Sequence, residues 1–283
     1  MGETLFVLTN DDAGSQEPEL FSELLDFLKA QEVPATFFVV PFGREQALDA
    51  KPEWMPLIER ALAEGHDLEH HAYIHNCFEF GVPPYFMLDI MPESKAAYIA
   101  DPEPFTRNHA YEILHEKLEH GREILTRAFG YTPRGYRSPC LSSCDNLYQA
   151  LADMQFEFCS NEVINPLGWR YINRAYETGE GWHDNIPHQP YRRPTGVIEV
   201  PMHSEYTWYL EAGDVDRHFE LAKADLDRAI AEGQAFVTLS HYFAMTGKWA
   251  AGLQVYERLF AYARERGVRF TTMRELIAAR QPA

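Results

Sequence analysis

The sequence predicts a single α/β domain, a distorted (β/α)7-8 barrel, on three observations. Short apolar runs alternate with amphipathic helical patterns from end to end, as parallel strands joined by helices do. The runs number about seven or eight, which suits a closed barrel. Polar, chemistry-bearing residues recur where the runs stop, and the C-terminal ends of strands are where a barrel gathers its active site. The alternation breaks twice, at about 76–105 and 164–196, so the expectation is one domain over 1–283 with two long insertions.

Leu5-Phe6-Val7-Leu8 is too short for a helix and reads as a buried parallel strand. It runs through Thr9 and Asn10 into Asp11-Asp12-Ala13-Gly14, two adjacent carboxylates and a turn glycine. From Glu17 to Ala30, apolar residues at 20, 21, 24, 25, 27 and 28 predict an amphipathic helix. Ala35 to Val40 is a second strand. Pro52 to Glu64 is a helix closed by Gly65, and Asp67 to His70 is a short third strand. Beyond the proline-rich first insertion, helices are predicted over His109–Phe129, Cys144–Met154 and Val215–Glu232. Strands are predicted at Arg134–Arg137, Phe156–Cys159, Val197–Pro201 and Ala235–Leu239, with two helical patterns flanking Val268–Phe270.

The chain of 283 residues is 46% hydrophobic and 24% charged, ordinary for a globular protein. A net charge of −18 argues against nucleic acid or an anionic membrane as partner, since both are negative. A small anionic substrate on a local arginine cluster stays compatible, with Arg170, Arg174, Arg192 and Arg193 as candidates. Cys77, Cys140, Cys144 and Cys159 show no CxxC spacing and suggest no disulfide framework. Met1-Gly2-Glu3 leads straight into the first strand without a basic n-region, and no apolar run approaches bilayer length. The expectation is a soluble, cytoplasmic protein; the oligomeric state, a homo-oligomer included, is left open.

Four clusters carry the chemistry. In Asp11-Asp12, adjacent carboxylates point in different directions, so one can bind a metal while the other accepts a proton; a solvated Asp-Asp turn is the plain alternative. Gly65 to His75 holds His66, His70, His71 and His75, two pairs at H-x3-H spacing. On one helical turn such a pair shares a face and suits a divalent metal, zinc first, with cobalt, manganese or nickel compatible. Arg134-Gly135-Tyr136-Arg137-Ser138-Pro139-Cys140 and Leu239-Ser240-His241 end two later strands. Together the four exits offer metal ligands, a base, an anchoring cation and an acid.

In this order the motifs resemble the NodB-like polysaccharide deacetylases, carbohydrate esterase family 4. Thr9–Gly14 is similar to that family's T-F-D-D-G motif, and Val33–Val39 to P-A-T-F-F-V. Gly65–His75 is similar to G-H-E-I-x-x-H-[ST]-x-x-H, Arg134–Cys140 to R-x-x-R-x-P-Y, and Leu239–His241 to L-x-H. The resemblance implies a metal-dependent amide hydrolase, a deacetylase of an N-acetylated sugar or related small molecule. It implies Asp12, His71 and His75 as ligands of one divalent ion, with His66 and His70 left as neighbours. It also implies Asp11 as general base, Arg137 as its partner, the Cys140 N–H as an oxyanion donor and His241 as general acid. Other readings are hydrolysis of a cyclic imide, ureide or N-formyl group, and a catalytically silent carbohydrate-binding module.

The departures are Asn10 for an aromatic, Ala13 for a glycine, and Cys159 where the family has an Asp that supports the acid His. A thiol cannot stabilise an imidazolium as a carboxylate does, so Glu162, Glu199 or another acid is expected to stand in. Trp169, Trp182 and Trp208, with Tyr85, Phe86, Tyr171 and Tyr206, are candidates to stack on a sugar, or else to pack the insertions onto the barrel. Long loops favour a small substrate over a polymer.

Overall fold

The computed structural model describes residues 3–176 and 181–280. β1 (Leu5–Ala13) leads into α1 (Pro18–Ala30), β2 (Ala35–Val39), a hairpin of β3 (Phe42–Gly43) and β4 (Gln46–Ala47), α2 (Met55–Ala63) and β5 (Asp67–His71). The first insertion forms three short helices, α3 (Tyr85–Asp89), α4 (Pro92–Ala100) and α5 (Glu103–Thr106). Then come α6 (Tyr111–Phe129), β6 (Gly135–Arg137), α7 (Asp145–Asp153) and β7 (Phe158–Cys159). The second insertion holds α8 (Leu167–Ile172) and β8 (Tyr191–Arg192); its residues 177–180 lie outside those described. The chain ends through β9 (Ile198–Glu199), β10 (Ser204–Glu205), α9 (Val215–Ala231), β11 (Phe236–His241), α10 (Ala251–Glu265), β12 (Arg269–Phe270) and α11 (Met273–Ala279).

The strands form a strongly curled half-barrel in the order β10-β11-β1-β2-β5-β6-β7-β9, all parallel, with β8 antiparallel on the β9 edge and β12 beside the start of β1. One stretch of chain spans the gap between the ends of the curl. At its start Ile198 and Glu199 pair with Phe158 and Cys159, and at its finish Ser204 and Glu205 pair with Thr238 and Leu239. Every residue of β1 is buried, which is why that run shows no polar alternation. Helices pack outside: α6 buries Leu114, Leu118, Leu125 and Phe129 on one face and stops at Gly130, whose φ of 75° takes the left-handed cap position.

The first insertion is more regular than its sequence suggests. Pro92 and Pro104 look like breakers, yet both sit in the first turn of α4 and α5, where a missing N–H is harmless. A second expectation is overturned: Cys77 and Cys140 form a disulfide. β5 and β6 are parallel neighbours with His71 beside Arg137, so the turns leaving them run together and bring the two Cα atoms to 5.0 Å. Spacing along the chain gives no hint of this, because 63 residues separate the pair. No helix among the described residues is long and apolar enough to cross a membrane.

Candidate active site and metal centre

The strand exits place the predicted side chains around one mouth. The β1–β2 register shifts between Asn10 and Ala13, and Asp12 takes a φ of 71°. Left-handed backbone is costly for a non-glycine residue and clusters at functional sites. Here the kink lets both neighbouring carboxylates serve the site, Asp11 toward β6 and Asp12 toward the histidines. Asn10, on the strand itself, donates to Ser240 Oγ at 2.8 Å and accepts from the Tyr242 N–H at 3.1 Å, tying β1 to β11.

Asp12, His71 and His75 offer one carboxylate oxygen and two imidazole nitrogens, all within 4.8 Å of one another. Asp12 Oδ1 is 2.8 Å from His75 Nε2 and 3.3 Å from His71 Nε2. The Nδ1 of His71 lies 2.9 Å from the Arg137 carbonyl; donating there leaves Nε2 as the lone pair facing the site. Burial alone would raise the Asp12 carboxyl, but the His75, His71 and His241 rings outweigh it and hold it well below the ordinary value.

The H-x3-H pair is not on a helix. His71 ends β5, and His75 follows in a turn with φ of 64°, after Ala72 at 55°. Glu79, which the sequence reading missed, holds that turn. Its carboxylate accepts from the N–H groups of Tyr73, Ile74 and His75 at 3.2, 3.1 and 3.0 Å, and Lys117 pairs with it at 3.2 Å. His66 and His70 turn into the core: His66 Nδ1 accepts from the Ala35 N–H at 3.0 Å, and His70 packs where α6 carries Gly121.

Asp11 forms an ion pair with Arg137 Nη1 at 2.7 Å. Arg137 is wholly buried and donates further to Thr9 Oγ1, the Ser160 carbonyl and Ser160 Oγ, at 2.8 to 2.9 Å. Its guanidinium also lies 4.1 Å from the Phe38 ring centre, so neither its charge nor its plane can wander.

On the far side, His241 Nδ1 donates to Glu205 Oε1 at 2.7 Å, while its Nε2 lies 3.9 Å from Asp12. Burial would lower the imidazole pKa, but the Glu205 carboxylate, helped by Asp12 and Asp11, outweighs it and raises it to about 9. The carboxylate paired with His241 is thus Glu205, from β10, and not one of the two named from sequence. Glu199 and Glu162, the residues named from sequence, are instead engaged by Arg193 at 2.8 and 2.7 Å. Cys159 donates to Glu199 at 3.1 Å.

Asp11, Asp12, His71, His75, Glu205 and His241 floor a cavity of about 390 Å³, with Cys140, Trp169 and Trp208 in its wall. Trp208 packs edge-on against His241, centroids 4.7 Å apart. Trp182 lies outside the lining: its N–H donates to Asp225 at 2.8 Å and Arg228 covers its face, a packing role. Arg170, Arg174 and Arg193 are paired with Asp89, Asp214, Glu162 and Glu199, and Arg192 donates to the Gly196 carbonyl. None of the four lines the cavity.

Residues 1–159, from the Asp-Asp strand through β7, match the model of the polysaccharide deacetylase family. The chain belongs to that family. Solved structures with a similar fold span this deacetylase-family chain almost completely. A protein from Mycobacterium smegmatis named as a polysaccharide deacetylase shares 18% identity and a TM-score of 0.65, covering 100% of this chain and 93% of its own. The chitin deacetylase of the fungus Colletotrichum lindemuthianum gives 18% and 0.57, with 98% and 88% covered. A family 4 acetyl xylan esterase from Clostridium thermocellum, in complex with a cobalt ion, gives 16% and 0.55, with 99% and 93% covered. At such identities the likeness speaks for the fold.

Proposed function

We propose that the chain is a metal-dependent amide hydrolase that removes the acetyl group from an N-acetylated sugar or small molecule. The observation that carries this reading is the convergence of Asp12, His71 and His75 between two separately buttressed pairs, Asp11–Arg137 and His241–Glu205. The donor set fits a divalent ion. Asp12 Oδ1 is buried and lacks a hydrogen-bond partner although two imidazole nitrogens face it, and two nitrogens with one oxygen suit zinc or cobalt. An ion held there would supply Lewis acidity, polarising the acyl oxygen and making water easier to deprotonate.

The chain's own groups divide the rest. Asp11, kept in place by Arg137, accepts the proton of the attacking water. The Cys140 N–H, in a left-handed turn at the cavity wall, serves as a donor to the developing oxyanion. His241, charged at neutral pH because of Glu205, gives its proton to the leaving nitrogen, without which an amine departs poorly. Acetate and a free amine result.

Metal content of protein purified without added metal, measured alongside acetate release from a panel of N-acetyl compounds, tests the proposal. Near-stoichiometric metal with acetate release is expected, and Asp11→Asn should abolish turnover. Unchanged activity in that variant would sink the base assignment. A ring-opened acid or ammonia in place of acetate would point to a cyclic imide or ureide, and metal without turnover to a silent binding module.

A further inference from the structure

Above the polar floor, the cavity wall is almost wholly apolar, and the two insertions build it. Met87, Ile90 and Met91 come from the end of α3 and the turn after it, Trp169 and Ile172 from α8, and Trp208 from the loop after β10. The insertions meet over the strand exits. Phe86 and Trp169 pack with ring centres 5.1 Å apart, Arg170 lies 3.8 Å from Asp89, and the Tyr85 hydroxyl is 3.1 Å from His183 Nε2. The result is a roof joined from both sides, over a space of about 390 Å³. Space of that size holds a compact ligand rather than a run of sugar units.

Alkyl surfaces offer no hydrogen-bond partner, a thioether only a weak acceptor and an indole only its single N–H, whereas a pyranose carries several hydroxyls. Each hydroxyl buried there without a partner weakens binding by about tenfold or more. An apolar ring or branched alkyl group loses nothing on entering the same wall and gains by leaving water. Outside the floor the polar lining is slight: Ser138, whose buried hydroxyl has no partner, and Asn173, exposed at the rim with its side-chain N–H already given to the Trp169 carbonyl.

We infer that the substrate is a compact N-acyl amide carrying one ring-sized apolar group, seated between Met87 and Ile90 on one side and Trp169 and Trp208 on the other. The inference rests on the amide-hydrolase reading for its chemistry and on the cavity wall for its selectivity. The reaction balances as simple hydrolysis. Water's hydroxyl goes to the acyl carbon, the C–N bond breaks, and the amine leaves with a proton while the acid leaves as carboxylate.

Two tryptophans in the wall give a readout independent of turnover. Metal-loaded protein is titrated with N-benzylacetamide, N-acetylglucosamine and tetra-N-acetylchitotetraose while tryptophan fluorescence and acetate are followed. N-benzylacetamide should bind at least tenfold tighter than the sugar and the oligomer, and should be hydrolysed with the higher kcat/KM. Met87→Gln, close in size and only partly buried, should weaken N-benzylacetamide about tenfold and change sugar binding less than twofold. Equal or tighter binding of either glycan, or a Met87→Gln variant without effect on N-benzylacetamide, overturns the inference. Apolar preference in the titration with no acetate from any compound keeps the apolar selectivity of the wall and overturns the hydrolase reading, and with it the amide as substrate.

Discussion

Replacing Glu205 with glutamine removes one charge and almost no volume from a buried pair. The carboxylate accepts from His241 Nδ1 at 2.7 Å and is the main reason that imidazole sits at about 9 rather than the ordinary 6.5. If the amide lets it return to about 6.5, the change is worth ~3 kcal/mol between protonation states. At pH 8 the protonated fraction falls from about nine-tenths to about one-thirtieth, so turnover should fall about 30-fold from protonation alone. Loss of orientation deepens this toward the ~10²–10⁴-fold range of general acid catalysis. In the proposed role as general acid His241 must be charged to donate, so with the shift upward in the wild type the alkaline limb of the kcat/KM profile should move from near 9 toward 6.5 in the variant. A profile measured from pH 5.5 to 10 checks this. An alkaline limb unmoved in Glu205→Gln, with a normal thermal melt, would refute the pairing of Glu205 with the acid.

Four further expectations follow from the same contacts. His71→Ala should lose the metal, whereas His66→Ala should keep it while losing ~1–3 kcal/mol of stability, because only the Ala35 N–H is orphaned; metal analysis and urea unfolding separate the two. Glu79→Gln should weaken metal affinity by about 10–100-fold through the loosened His75 turn, read by competition with a chelator, and should lower the melt of the metal-free protein too, because the amide has one acceptor oxygen for three N–H groups and leaves Lys117 without its counter-charge. Gly121→Ala puts a methyl group 2.5 Å from His70 Nε2 and 3.0 Å from Pro41 Cγ, so unfolding should come ~1–3 kcal/mol sooner; an unchanged denaturation midpoint would contradict that packing. Burial holds His203 at about 3 and His66 at about 4, both below the ordinary 6.5. The unfolded chain therefore binds more protons, and the metal-free protein should lose stability as pH falls from 6.5 toward 4, at up to ~1.4 kcal/mol per pH unit for each ring. Melts that stay flat across that window would count against neutral, buried rings.

The amino-acid sequence alone determined the run of buried strands, the order of their polar exits and the separation of Asp-Asp, H-x3-H, Arg and His along the chain. Those features are local. A strand that is buried on both faces must be apolar throughout, and a residue at its end needs no distant partner to be read. The H-x3-H spacing was legible, but its geometry was not, since a helix and a left-handed turn hold the same interval. Folding alone decided which residues meet across strands. Glu205 serves His241 because β10 pairs with β11 in a register that sets Glu205 beside Leu239, and a slip of one residue would turn the carboxylate to the other face. The same dependence on pairing joined Cys77 to Cys140, gave Glu79 the His75 turn, moved Trp182 out of the cavity and set two insertions together as an apolar roof. Each of these rests on closeness in space between segments far apart in sequence, which no local pattern of residues encodes.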